Sequence, residues 1–188
     1  QDENCAFIEC EKMLCPFCLK EGTIRREVVD GRIIYICSEH PEPKIPAAYA
    51  ENQKIQREVI SAIGFRGHGK SAYFAALFSI LDQLAQYWSG FYYFATDEQS
   101  LATVQNNVKL LKGGKLPSAT PKNFPLPTIV QFSNMPQFRD QFFIFYDTSG
   151  ESYESASKLI GNASFIKNSN TAIFFMSLHD LEYNPQEM

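Results

Sequence analysis

Residues 59–71, Val-Ile-Ser-Ala-Ile-Gly-Phe-Arg-Gly-His-Gly-Lys-Ser, decide how the rest of the chain is read. A short apolar run, Val59 to Ile63, feeds a glycine-rich turn that closes on Gly69-Lys70-Ser71. With Gly64 as the first glycine, the turn fits G-x-x-x-x-G-K-[ST], the pattern of a phosphate-cradling loop between a strand and a helix. Glycines let the backbone curl so that several N–H groups face phosphate oxygens. The helix N-terminus behind them adds free N–H groups and a partial positive charge. The pattern therefore predicts phosphate contacts from the backbone of Gly64, Gly67, Gly69, Lys70, Ser71 and Ala72. The Lys70 ammonium is expected on the β- and γ-phosphates, and the Ser71 hydroxyl on Mg²⁺.

Downstream, Ala72 to Tyr87 carries Phe74, Leu77, Phe78, Leu81, Leu84 and Ala85 at helical spacing. Gly90 to Thr96 reads as a strand. Asp97 to Ser100 has N-cap character, Leu101 to Leu111 reads as a second helix, and Lys112-Gly113-Gly114-Lys115 stops it. A proline-rich loop from Leu116 to Pro127 contains Thr120. Thr128 to Ser133 alternates like a half-buried strand, Asn134-Met135-Pro136 turns it, and Gln141 to Tyr146 is apolar enough for a central strand. That strand runs into Asp147-Thr148-Ser149-Gly150-Glu151. A carboxylate at the C-terminal edge of a buried strand lies where open α/β sheets bind ligands. Asp147 is thus a candidate to hold a Mg²⁺-bound water opposite Ser71, and Gly150 to bring a backbone N–H to a terminal phosphate. Ala156 to Phe165 is predicted helical and Ala172 to Leu178 a further buried strand, ending at His179-Asp180. Asp180 reads as a cap, with a loop residue or a switch-edge carboxylate as alternatives. His68, His179 and Arg66 read as bystanders, a phosphate or partner contact being the alternative for Arg66.

The first 45 residues have a different character. Cys15-Pro16-Phe17-Cys18 and Cys37-Ser38-Glu39-His40 give C-x2-C-x18-C-x2-H, four ligands of the kind and spacing that suit tetrahedral zinc. Between them, Thr23 to Val29 and Arg32 to Ile36 are β-rich, and Asp30-Gly31 is a hairpin turn signal. Two ligand turns bridged by a hairpin make a zinc ribbon, too small to fold on core burial alone. Four protein ligands leave no open position, so the zinc would be structural. Cys5 and Cys10 read as free thiols, with an alternative ligand set still open. Lys20, Arg25, Arg26 and Arg32 give the hairpin a local positive bias; a solvated face is the simplest reading, and contact with nucleic acid or an acidic partner is the other. The proline-dense stretch Pro41 to Pro46 reads as a linker. The domain plan is a ribbon with an N-terminal extension over 1–45, a linker and short helix over 46–56, and a nucleotide-binding domain over 57–188.

Composition narrows the classes. The chain has 188 residues, 45% hydrophobic, and a net charge of −4, which supplies no general basic field for nucleic acid. No apolar run approaches a membrane span. Five cysteines, an odd number including a C-x-x-C, do not resemble a disulfide framework. A cytoplasmic setting is the default expectation.

The order strand, GxxxxGKS, helix, Thr120 loop, strand, strand-DTSG resembles a Ras-like GTPase core of the translation-factor class. With a CPxC…CxxH ribbon before the loop and KGGKLPSAT leading into Thr120, the chain is similar to the prokaryotic double-GTPase family, P-loop GTPases associated with conflict or defence systems. The resemblance implies an α/β three-layer P-loop sandwich with a mostly parallel sheet, GTP and Mg²⁺ as ligands, Thr120 as a switch hydroxyl on Mg²⁺, and a protein partner reached through the ribbon or the switch loops. Glu151 stands where such enzymes often carry the glutamine that orients water, which makes it the candidate catalytic residue beside Lys70. The guanine-specifying N/T-K-x-D motif is absent from these 188 residues. The domain is accordingly expected to continue past Met188. The alternatives are an ATPase on the same loop, with Asp147 as its Mg²⁺-site acid and Glu151 as base, and a nucleotide-binding interaction module that does not hydrolyse.

Overall fold

The computed structural model describes residues 13–84, 86–117 and 125–177. The N-terminal hairpin forms as its turn signal predicts. Strands β1 (Ile24–Val29) and β2 (Arg32–Cys37) pair antiparallel, with Val29 opposite Arg32 across the turn. Asp30 and Gly31 both adopt positive φ, 51° and 73°, as a two-residue hairpin with the right twist requires. Helix α1 (Ala47–Glu51) follows directly after Pro46. The proline-dense segment is docked rather than hanging free, since Ile45 bridges to Tyr35 and is 3% exposed.

The larger sheet is built from β3 (Gln56–Ile63), β4 (Tyr92–Ala95), β5 (Thr128–Ser133), β6 (Gln141–Asp147) and β7 (Thr171–Phe174), in the order β4-β5-β6-β3-β7. Helices α2 (Lys70–Leu84) and α3 (Glu98–Lys112) follow β3 and β4. Asp97 caps α3 by accepting a hydrogen bond from the Ser100 N–H at 2.8 Å. Short α4 (Ala156–Asn162) is capped by Ser155, and a 3-10 turn spans Ser164–Asn168.

The expectation of a Ras-like, mostly parallel three-layer sandwich is overturned by this pairing. β3 runs parallel to β6 and β7, but β5 runs antiparallel to both β4 and β6. The sheet is mixed, half of its four pairings being antiparallel. The physical reason is connection length. Only residues 134–140 join β5 to β6, enough for a hairpin and too few for the crossover a parallel pair needs. The layers differ as well. Along β6, Phe142, Ile144 and Tyr146 join one buried cluster, while Phe143 and Phe145 join the other. The second cluster is covered by α2 and α3. The first is covered by the N-terminal module itself, through Met13, Cys15, Phe17, Leu19 and Ile24, together with Tyr49 of α1 and Phe165. A hairpin module thus occupies a face that a three-layer sandwich would cover with helices. β5, predicted to alternate, is buried at all six positions, with Ile129 on the side of the module and Val130 and Phe132 on the side of the helices.

Candidate functional site

Two constellations lie on opposite faces of β6. The first is the cysteine–histidine cluster. Cys15 to Cys18 form a tight turn in which the Leu19 N–H donates to the Cys15 carbonyl at 2.8 Å and the Cys15 N–H to the Lys20 carbonyl at 3.0 Å. Cys37 ends β2, and its register partner is Ile24 at the start of β1. The ligand atoms of Cys15, Cys18, Cys37 and His40 all lie within 4.8 Å of one another. The three cysteines are free thiols, and the Cys18 and Cys37 sulfurs stand 3.7 Å apart. Sulfur and nitrogen ligands at zinc bond lengths stand roughly 3.3–3.8 Å apart around a tetrahedron, so the separation fits.

Polar satisfaction makes the same point. Both ring nitrogens of His40 are buried with no hydrogen-bond partner among the described residues, a costly state that ligation would relieve. The Phe17 and Glu39 N–H groups donate to the Cys15 and Cys37 sulfurs at 3.4 Å, as amides do around thiolates. Burial pushes the Cys15 thiol up to about 12, partly opposed by amide hydrogen bonds. Burial also raises Cys37, but hydrogen bonds from Thr23, the Glu39 and His40 amides and Cys18 outweigh it and bring that thiol to about 7. A metal would displace the remaining protons. The cluster could therefore hold a metal ion such as zinc. Three elements brace it: the Tyr146 hydroxyl of β6 donates to the Pro16 carbonyl, Tyr49 of α1 to the Leu14 carbonyl at 2.6 Å, and Asn168 of the 3-10 turn to the Leu19 carbonyl at 3.2 Å.

The second constellation surrounds the glycine-rich loop. β3 ends at Ile63 and α2 begins at Lys70, so the loop occupies the strand-to-helix turn. Gly67 and Gly69 adopt φ of 84° and 82°, which disfavours any side chain there. Lys70 is 6% exposed and folds back over the loop, donating to the carbonyls of Gly64 at 2.7 Å and Phe65 at 3.0 Å. Burial lowers its proton affinity, and the nearby Asp147 carboxylate opposes that shift. The Ser71 hydroxyl donates to Asp147 Oδ2 at 2.5 Å. Gly150 lies so close to the loop backbone that a Cβ on it would fall 2.0 Å from the Arg66 nitrogen. Gly64 is similarly close to the end of β7, a Cβ there meeting the Phe175 carbonyl oxygen at 2.6 Å. Ala72 sits in the first turn of α2, half-buried. The structure thus gathers Gly64, Gly67, Gly69, Lys70, Ser71, Ala72, Asp147, Gly150 and Glu151 around one strand–helix junction. Thr120 lies outside the described residues, as do Cys5, Cys10, His179 and Asp180.

Sequence reasoning missed three members. Tyr153 places its ring centroid 5.9 Å from the Lys70 ammonium and donates its hydroxyl to the Ala62 carbonyl at 2.8 Å. Among so many aromatics it carried no signal. His68, read as a bystander, brackets the loop: its Nδ1 is 3.2 Å from the Phe65 nitrogen and 2.9 Å from the Phe175 carbonyl oxygen. Arg66 pairs with Glu151 at 3.7 Å. Their opposite charges, on two segments predicted to flank one ligand, were a usable signal.

Among the described residues no helix is long and apolar enough to cross a membrane. Compared with protein-family models, curated proteins and solved structures, the chain matches none.

Proposed function

We propose that the chain binds a nucleoside triphosphate on Gly64–Ser71 and hydrolyses it, with GTP as the preferred nucleotide, and works as a nucleotide-dependent switch. The observation that carries this is the meeting of Ser71 and Asp147. Two residues 76 positions apart share a hydrogen bond at the N-terminus of a 15-residue helix, beside a buried lysine. A hydroxyl and a carboxylate in contact are a suitable donor pair for a hydrated divalent cation. Mg²⁺ bound there would neutralise charge on the β- and γ-phosphates.

In this reading the loop amides from Gly67 to Ala72 hold the phosphates. Lys70 gives up its two carbonyl partners in favour of phosphate oxygens, a move its four-carbon stem allows. The Gly150 N–H senses the terminal phosphate, and its close packing on Phe65–Arg66 explains why no side chain is tolerated there. Glu151 acts as a base toward the attacking water, and its charge opposes that of the terminal phosphate. Water adds to the terminal phosphorus while the bond to the β-phosphate oxygen breaks, leaving nucleoside diphosphate and phosphate. Thr120 is assigned by its place in the motif order alone. The guanine preference and the kinship with double GTPases rest on motifs and not on the sheet. The metal module, taken as zinc-loaded, would serve as a platform for a protein partner.

Nucleotide titration and phosphate release test the reading. GTP should bind more tightly than ATP in Mg²⁺, and Lys70→Ala should abolish release. Tighter ATP binding would replace guanine by adenine. Equal release by wild type and Lys70→Ala would remove the enzyme.

A further inference from the structure

Arg66 and Glu151 belong to the two segments that converge at the loop. Arg66 lies within the loop, and Glu151 follows the glycine packed against the Phe65–Arg66 peptide. Their side chains meet at 3.7 Å, with the Arg66 side chain 78% exposed and that of Glu151 20% exposed. Lys70 is meanwhile turned inward onto the loop carbonyls. The pair therefore spans the rim of the loop, where one cation is open to water and the other is buried. An ion pair this exposed on one side is weak and readily exchanged. A guanidinium stays charged at any physiological pH and binds carboxylate and phosphate oxygens through the same planar fork.

We propose that Arg66 is a second phosphate-contacting cation of this site, which Glu151 holds across the rim until a terminal phosphate takes the place of the carboxylate. This rests on the reading of Gly64–Ser71 as a nucleotide site, and it deepens that reading by naming what distinguishes triphosphate from diphosphate. Arg66 changes one anionic partner for another at the solvent-facing rim. Glu151, released from Arg66, turns toward the attacking water. A diphosphate offers no group at the Gly150 side of the loop and leaves the pair closed. The same carboxylate repels a terminal phosphate that arrives while the pair is shut, so the pair sets a threshold as well as a contact.

The test is calorimetric titration with a non-hydrolysable triphosphate and the matching diphosphate, in guanine and adenine forms, with Mg²⁺. Wild type, Arg66→Ala, Arg66→Lys, Glu151→Gln and the Arg66→Ala/Glu151→Gln double variant are compared, with thermal melts to verify folding. Arg66→Ala should weaken triphosphate binding roughly ten- to hundredfold and diphosphate binding less than about twofold. Arg66→Lys should recover part of the loss. Glu151→Gln should tighten triphosphate binding, and that gain should vanish in the double variant. Equal effects of Arg66→Ala on triphosphate and diphosphate would overturn the proposal, as would no effect on either or a Glu151→Gln that weakens triphosphate. If folded wild type binds no nucleotide, the nucleotide reading itself falls. If it binds but Arg66 and Glu151 do not change the triphosphate preference, only the exchange falls.

Discussion

On one face of β6, Phe142, Ile144 and Tyr146 meet the cysteine turn, Tyr49 and Phe165; on the other, Phe143 and Phe145 meet Phe74 and Phe78 of α2 and Phe132 of β5. The helical face is self-supporting. Its cover comes from two 15-residue helices that carry their own hydrogen bonds, α2 meeting β6 through the edges of Phe74 and Phe78 and α3 adding Val104 and Val108. The opposite face is covered by a short hairpin module, a five-residue helix and a 3-10 turn. None of those is stable alone. That face relies on the Cys15–His40 cluster and on tyrosine hydroxyls reaching backbone carbonyls. The comparison teaches that the cysteine–histidine cluster belongs to the core of the described residues, since Cys15 and Cys37 are buried together with Phe142, Ile144 and Tyr146 of the central strand.

The largest effect should therefore come from the metal. Chelation, or Cys15→Ser, is expected to cost on the order of 5 kcal/mol, about 10–20 °C in Tm for a chain of this size. It should also expose Phe142 and Ile144 to hydrogen exchange throughout β6. A protein that melts unchanged after chelation, or that carries less than half an equivalent of zinc as purified, would break the contrast between the faces.

Next come two phenylalanines. Phe142 is 0% and Phe78 1% exposed, and each touches one face only. Either one replaced by alanine should cost about 3–5 kcal/mol in denaturant unfolding. Only Phe142→Ala should loosen metal, because only it shares a buried cluster with Cys15 and Cys37, packing on Tyr49, whose hydroxyl reaches Leu14 beside the cysteine turn. Equal metal affinity in the two variants would show that the faces are not energetically distinct.

The smallest effect at neutral pH concerns buried tyrosines. Burial raises the phenols of Tyr49, Tyr93, Tyr146 and Tyr153, the last to about 12, while an unfolded tyrosine titrates near 10. A folded proton affinity above the unfolded one contributes stability that is complete below pH 10. That stability is lost as pH rises from 10 through the folded values. Alkaline unfolding should begin near pH 10, with phenolate absorbance appearing in one cooperative step. Tyr49, Tyr146 and Tyr153 pack on the metal face, so metal release should accompany that step. A gradual titration with metal retained would contradict this.

What could be read in the sequence follows from how locally each feature is determined. The Cys15, Cys18, Cys37 and His40 cluster was legible because each turn delivers two of its members and a hairpin, signalled by Asp30-Gly31, delivers the turns to each other. Helices α2 and α3 were legible from period and cap, although α2 starts at Lys70 and α3 at Glu98, earlier than apolar spacing alone suggested. The loop residues were legible as a motif. Strand direction was misread because the overall motif sequence outweighed a local fact: a turn at Asn134-Met135-Pro136 between strands seven residues apart demands antiparallel pairing. The burial of every residue of β5 was not legible, because no local signal says that a module 100 residues upstream will pack against Ile129. Arg66 with Glu151, and Tyr153 with Lys70, required the tertiary approach of the two segments.

Tyr146 and Asp147 are consecutive residues of β6. Successive side chains of a strand leave opposite sides of the sheet, so one hydroxyl grips the cysteine turn at Pro16 while the next carboxylate grips Ser71. The two constellations are thus back to back, one peptide unit apart, with no intervening layer to absorb a change in either. Seen from the backbone, the pair works as an axle with a fitting at each end. A shift of this stretch of β6 backbone would therefore reach both side chains at once.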